Sequence, residues 1–118
     1  MLKERRLRKR NDFSALRSDG RSWANRYFVL LTRPNDLTVS RFGFSISKRV
    51  GGSVVRNRLK RRLKEIIRVL DVDEGWDVLL IARRDAACPH YNHLRASVAD
   101  LLHRANIADR TIWNNDEN

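Results

Sequence analysis

Nine of the residues between Lys48 and Arg68 are basic and only one, Glu65, is acidic. They come in clusters: Lys48-Arg49, then Arg56-Asn57-Arg58, then Lys60-Arg61-Arg62, Lys64 and Arg68. Packed this closely, cations repel one another, and the repulsion is relieved when phosphates dock among them. Most of the positions hold Arg, whose planar guanidinium binds a phosphate through two hydrogen bonds or stacks on a base, where an ammonium acts as a point charge. The chemistry on offer is recognition of a structured polyphosphate.

Hydrolytic chemistry has less to draw on. Cleaving a phosphodiester takes metals held on clustered carboxylates, or His and Lys acid–base pairs. The densest acids, Asp71, Asp73, Glu74 and Asp77, read as a helix-ending turn. His90 and His93, three apart, lack the further Cys or His ligands of a metal site. The single cysteine, Cys88, excludes an internal disulfide and a multi-Cys zinc site. No catalytic residue and no metal ligand is assigned to the chain itself.

The bulk properties agree with a polyanion partner. The chain has 118 residues, 25 Lys and Arg against 14 Asp and Glu, and a net charge of +11. That size supports one domain, over 1–118. Hydrophobic residues make up 42%, enough for a small core. The longest apolar runs, Tyr27 to Leu31 and Val78 to Ala82, are far below the roughly 18 residues of a spanning helix, so no membrane partner is expected. Residues 1–10 form a basic arm with no apolar segment after it, which predicts a cytoplasmic protein. Residues 109–118 form a polar C-terminal tail that includes Trp113.

The elements that must hold the cations follow from periodicity. Ser53, after Gly51-Gly52, is the expected N-cap of a helix running to about Leu70, with Val55, Leu59, Leu63, Ile66 and Leu70 as one apolar stripe. Opposite that stripe fall Asn57, Arg61, Lys64 and Arg68, flanked by Arg56 and Lys60 on one side and Arg58 on the other, with Arg62 at the stripe's edge. Residues 11–17 predict a short helix capped by Asn11 or Asp12, with Phe13 and Leu16 on one face. Tyr27 to Thr32 reads as a strand apolar on both faces, followed by a turn at 33–36. Phe42, Phe44 and Ile46 alternate with polar or small residues as a strand with one buried face, and Trp76 to Ala82 reads as a buried strand. A last amphipathic helix spans about Tyr91 to Ala105. The order helix, strand, strand, helix, strand, helix gives a mixed α+β architecture of helices on a sheet.

Two long helices cover only one side of so small a sheet, so the doubly apolar strand implies an uncovered face that could stack single-stranded bases. From the residues alone, three rivals stay open: a ribosomal or RNA-chaperone protein, a DNA-binding helix without the usual helix-turn-helix scaffold, and a nuclease whose dispersed carboxylates converge in space.

The stretch Phe44-Ser-Ile-Ser-Lys48-Arg49-Val-Gly51-Gly52-Ser-Val-Val-Arg56-Asn57-Arg58-Leu-Lys60-Arg61-Arg62-Leu-Lys64-Glu65 closely resembles the signature of bacterial ribonuclease P protein subunits. The family's Arg-Asn-Arg motif stands as Arg56-Asn57-Arg58, and the resemblance extends over about residues 5 to 106. It implies a single small domain with a mixed sheet of about four strands flanked by helices, and a left-handed βαβ crossover. It also implies a ribonucleoprotein that removes the 5′ leader of precursor tRNA, in which the RNA subunit carries catalysis with magnesium ions and the protein, monomeric before assembly, binds no cofactor alone. Lys48, Arg49, Arg56, Asn57, Arg58, Arg61, Arg62 and Arg68 would contact the catalytic RNA. The leader would lie in a cleft of Phe13, Arg17, Val29 and Leu31, edged by Lys60 and Lys64. Arg17 stands where the family commonly has an aromatic, and Leu31 where Tyr is frequent.

Overall fold

A computed structural model describes residues 6–7, 10–87 and 89–108. Most of the basic arm, Cys88, the polar tail and Trp113 lie outside the described residues. In chain order the elements are α1 (Arg10–Asp19), β1 (Arg21–Ala24), β2 (Phe28–Pro34), β3 (Arg41–Ser45), α2 (Ser53–Leu70), β4 (Trp76–Ala82), a 3-10 turn at Arg84–Ala87 and α3 (Tyr91–Arg104). The four strands form one sheet in the order β1-β2-β4-β3. β2 runs antiparallel to β1 and to β4, while β3 and β4 are parallel neighbours joined through α2. The fold is the α+β domain of mixed sheet and helices that the sequence implied.

Alternation along the central strands sorts side chains into two cores. Phe28, Leu30, Val78 and Leu80 point to the larger one, under α2 and α3, with Leu59, Leu63, Leu94, Val98 and Leu101. Leu31 and Leu79 point the other way and meet Leu7 and Leu16, with Phe13, Val29 and Ile81 half-buried around them. This second core corrects the expectation of an uncovered face. The ten-residue α1 is long enough to close it over β2 and β4, and leaves only its margin open.

β1 is the strand that the periodicity missed. Its four residues, Arg-Ser-Trp-Ala, are mostly exposed at the sheet edge, so no apolar alternation marks them. The hairpin to β2 is held by Asn25, whose Oδ1 accepts the backbone N–H groups of Tyr27 and Phe28 at 3.1 and 3.0 Å. Its Nδ2 donates to the Ser97 carbonyl of α3 at 2.9 Å.

Three boundaries differ for local reasons. α2 is capped by Gly52 in an extended conformation with no side-chain cap, so Ser53 is its first residue and not its cap. α1 begins at Arg10, which puts Asp12 inside its first turn. β2 continues to Pro34, and the reversal falls at Asp36, whose φ is 59°. The end of α2 is where expected, at Asp71 in the left-handed region.

Asp77 lies in β4, within the strand expected over Trp76 to Ala82, although it is also the last of the acids grouped around the helix-ending turn. It is buried beneath α1 and receives both ends of the Arg41 guanidinium fork, Nε at 2.8 Å and Nη2 at 2.7 Å. Asn35 Nδ2 adds a third bond at 3.0 Å, and Arg41 also reaches Asp12 of α1 at 3.4 Å. The Arg41 pKa is raised, first by the hydrogen bond to Asp77. Removing one partner of such a pair leaves a charge buried and uncompensated. We expect Asp77→Ala to lower stability by about 2–4 kcal/mol and to undock α1, read by urea unfolding; a loss below about 0.5 kcal/mol would make the pair incidental.

Candidate nucleic-acid interface

α2 presents its cations because its other side is tied down. Leu59, Leu63, Ile66, Ile67 and Leu70 are buried, each worth about 1.5–3 kcal/mol. Val55, the first residue of the expected stripe, is only half-buried. Its side chain lies against Gly51, where a Cβ would come within 2.8 Å of Val55 Cγ1. The glycine therefore lets the chain enter the helix in close contact with its first turn. Arg56 is fixed by its Nε, which donates to the Gly51 carbonyl at 3.1 Å.

The residues assigned to the catalytic RNA spread around the solvent side of α2 as a broad strip, from Arg56 against Gly51 to Arg58 and Arg62 beside Tyr91 of α3. Lys48, Arg49, Asn57, Arg58 and Arg61 are exposed, while Arg56 and Arg62 are half-buried. The first turn of α2 holds no acid, so the positive end of the helix dipole adds to the same field. Arg68 differs from the rest. Its Nη2 and Nε donate to the Glu65 carboxylate at 2.5 and 3.1 Å, which raises the Arg68 pKa and lowers that of Glu65. Arg68 therefore reaches any RNA with its charge already partnered.

Beside the strip, a groove of about 450 Å³ runs along the outer edge of β3, where Arg6 bridges to Phe42 and Leu7 N–H donates to the Phe42 carbonyl at 2.9 Å. Phe13 and Leu7 form one wall, Phe42, Gly43 and Phe44 the floor, and Lys60 and Lys64 the other wall. The structure thus brings together Phe13, Lys60 and Lys64 of the expected leader cleft. Val29 is half-buried on the same sheet face, paired across the ladder with Ile81. Leu31 is covered by α1, only 8% exposed, and Arg17 lies exposed on α1 outside the groove. The shift from central strand to edge strand follows from α1, which sits over β2 and β4, while the outer edge of β3 is bridged, among the described residues, only at its start, where Leu7 N–H donates to the Phe42 carbonyl.

Sequence reading passed over three groove residues. Phe42 is buried in the core and Phe44 packs against it, as the alternation implies, but a period of two does not reveal that their strand is at the edge and also floors a groove. Gly43 is the third. A Cβ there would stand 3.0 Å from Phe13 Cε1 and 3.3 Å from Leu7 Cβ, so the bare backbone is what lets the Phe13 ring lie down on β3.

The acids do not assemble a hydrolytic centre. Asp77 is engaged by Arg41, Asp71 ends α2, and among the described residues no three His, Cys, Asp or Glu converge on a common point. His90 and His93 meet edge to face with ring centroids 6.2 Å apart.

A crossover helix whose charges are cationic but for Glu65, next to an aromatic groove with lysines on its lip, defines an RNA-binding α+β domain. The family model for ribonuclease P matches residues 1–106. The ribonuclease P protein component of Dehalococcoides mccartyi (strain CBDB1) is 39% identical over 94% of this chain and 92% of its own length. That of Roseiflexus castenholzii is 38% identical over 95% and 94%. The solved RNase P protein of Staphylococcus aureus superposes with a TM-score of 0.83 at 32% identity, covering 89% of this chain and 98% of that one. The Thermotoga maritima protein gives 0.75 at 34%, covering 84% and 96%. The chain belongs to the ribonuclease P protein family. It is the protein component of a ribonucleoprotein endoribonuclease whose work is removal of the 5′ leader from precursor tRNA, and its partner is an RNA subunit.

The fit of Phe13 over Gly43 yields a test within the protein. We expect Gly43→Val to cost about 1–3 kcal/mol by overpacking and to displace Phe13. Thermal melting and the methyl shifts of Leu7 report both; an unshifted melt would show that the ring is not held where the structure places it.

Proposed function

We propose that α2 and the loop before it grip the catalytic RNA through Lys48, Arg49, Arg56, Asn57, Arg58, Arg61 and Arg62, with Arg68 at the margin. The groove beside them takes the 5′ leader of precursor tRNA. The observation that carries this reading is the strip of single-sign charge, anchored by a buried apolar stripe and sharing Lys60 and Lys64 with the groove. Phosphates of folded RNA dock on the guanidinium groups, and counterions leave. A single-stranded leader is flexible enough to lay bases on Phe13 and Phe44 while its phosphates approach Lys60 and Lys64.

Val29 extends the apolar margin of that surface, Arg17 supplies a cation on its α1 side, and Leu31 supports it from beneath. At Arg17 and Leu31, where the family resemblance implies aromatics, this chain offers an exposed guanidinium and a buried aliphatic side chain. The protein supplies affinity, leader positioning and relief of repulsion between two RNAs. Magnesium ions bound by RNA supply the Lewis acid and the activated water; the protein alone holds no cofactor. It joins the RNA as a monomer, in the cytoplasm where precursor tRNA is processed. No helix among the described residues is long and apolar enough to cross a membrane.

Two measurements test the assignment. If roughly six to eight phosphates are neutralised, affinity for the catalytic RNA falls by about three to five orders of magnitude between low and moderate salt; a flat salt response is incompatible with the strip as the grip. Arg58→Ala and Arg61→Ala should weaken binding to the catalytic RNA about tenfold each. Phe13→Ala should instead weaken the assembled holoenzyme's binding of leader-bearing precursor, by about five- to one-hundredfold, and leave mature tRNA unaffected. Equal losses on both substrates would remove the leader from the groove.

A further inference from the structure

The sheet topology carries a second set of cations to the end of the molecule where α2 begins. β2 starts, and β3 and β4 finish, at the same end, because Phe28 pairs with Ala82 and Ser45 with Ile81. Within four residues of those strand ends stand Arg26, Arg83-Arg84 and Lys48-Arg49. With strands about 4.8 Å apart, three adjacent chain exits span about 10 Å. Five cations share that edge with one carboxylate, Asp85, which bonds Arg26 Nε at 3.2 Å.

The backbone at this end is held firmly. Arg83 N–H donates to the Tyr27 carbonyl at 2.8 Å, and its Nη1 donates to the Asn25 carbonyl at 2.9 Å, leaving the rest of the guanidinium outward. Arg26 lies over the Tyr27 ring, 5.4 Å from its centroid. Arg84, Lys48 and Arg49 are exposed and have no intramolecular partner among the described residues. Like-charged side chains with unused donors, carried on firmly held backbone, match the oxyanions of a polyphosphate, and Lys48-Arg49 joins this edge to the α2 strip.

We propose that Arg26, Arg83 and Arg84 form a second docking edge for the sugar-phosphate backbone of the catalytic RNA, continuous with Lys48 and Arg49, so that the RNA wraps from the face of α2 around the end of the sheet. This rests on the reading that α2 grips the same RNA. The edge meets phosphates and not bases, so it contributes affinity and orientation without sequence preference.

The test compares the full-length protein with Arg84→Gln, Arg83→Gln/Arg84→Gln and Arg58→Ala/Arg61→Ala, each titrated with the catalytic RNA across a range of salt. Arg84→Gln should bind about three- to tenfold more weakly at moderate salt, and the slope of log affinity against log salt should fall by about one for each phosphate no longer neutralised. Should the double variant melt early because the Arg83–Asn25 bond is gone, Arg84→Gln and Arg84→Glu decide alone, since the Arg84 side chain bonds none of the described residues. Unchanged affinity and slope in the Arg84 variants, with the α2 variant weakened, overturns the second docking edge and leaves the α2 reading standing. Normal binding by the α2 variant overturns both. A weakening that emerges only when precursor tRNA is present also overturns the proposal, because the edge then serves the substrate.

Discussion

Everything in this molecule depends on holding a run of like charges on one side of a helix that would otherwise be poor at forming. Arg56 and Lys60, Arg58 and Arg62, Lys60 and Lys64, and Lys64 and Arg68 are each four residues apart, and each such pair costs about 0.2–0.5 kcal/mol. Glu65 offsets part of this at one end only. Burial of Leu59, Leu63, Ile66, Ile67 and Leu70 exceeds that cost several-fold. The helix is therefore stable as a cationic rod before any RNA arrives, and docking releases repulsion where a disordered basic tail would have to lose chain entropy.

The second constraint is the small sheet's need for cover on both faces. α2 and α3 take one face, and α1 takes the other, positioned by an ion pair that links it to both parallel strands through Arg41. Because α1 sits over β2 and β4, the accessible apolar ground on its side is the margin around Phe13, Val29 and Ile81 and the edge of β3. Groove and strip are adjacent because α2 connects β3 to β4. The connection that completes the parallel pair necessarily lays its cations alongside the edge strand.

How much of this was legible depends on whether the information was local. The apolar stripe of α2, the alternation in β3 and the buried run of β4 are carried by residues within a few positions of each other, and all three appear where their periodicity places them. β1 was not legible, since an exposed edge strand of four residues has no alternation to display. The partner of Asp77 was not legible either. Its carboxylate sits in a run of acids that reads as a turn, and only the pairing of β3 with β4 brings Arg41 beside it, 36 residues away in sequence. The strip was readable because one helix writes it in consecutive turns, whereas the groove draws on α1, β3 and α2 and needed the tertiary fold. Phe13 was readable through resemblance; Gly43 had no signal but its size.

The fate of the carboxylates bears on where the chemistry resides. A phosphodiesterase centre needs acids whose lone pairs are free for metals. Among the described residues the deeply buried acid, Asp77, gives both oxygens to Arg41, while Asp85 faces Arg26 and Glu65 faces Arg68, so each serves a cation of the protein. An acid left unpaired near the strip would also repel the very phosphates that the strip collects, with an interaction of about 1 kcal/mol at 4 Å even in water. The surface suited to gathering two polyanions is thus unsuited to holding metal on protein carboxylates. A positioning role for this protein component within a ribonucleoprotein endoribonuclease accords with that charge distribution.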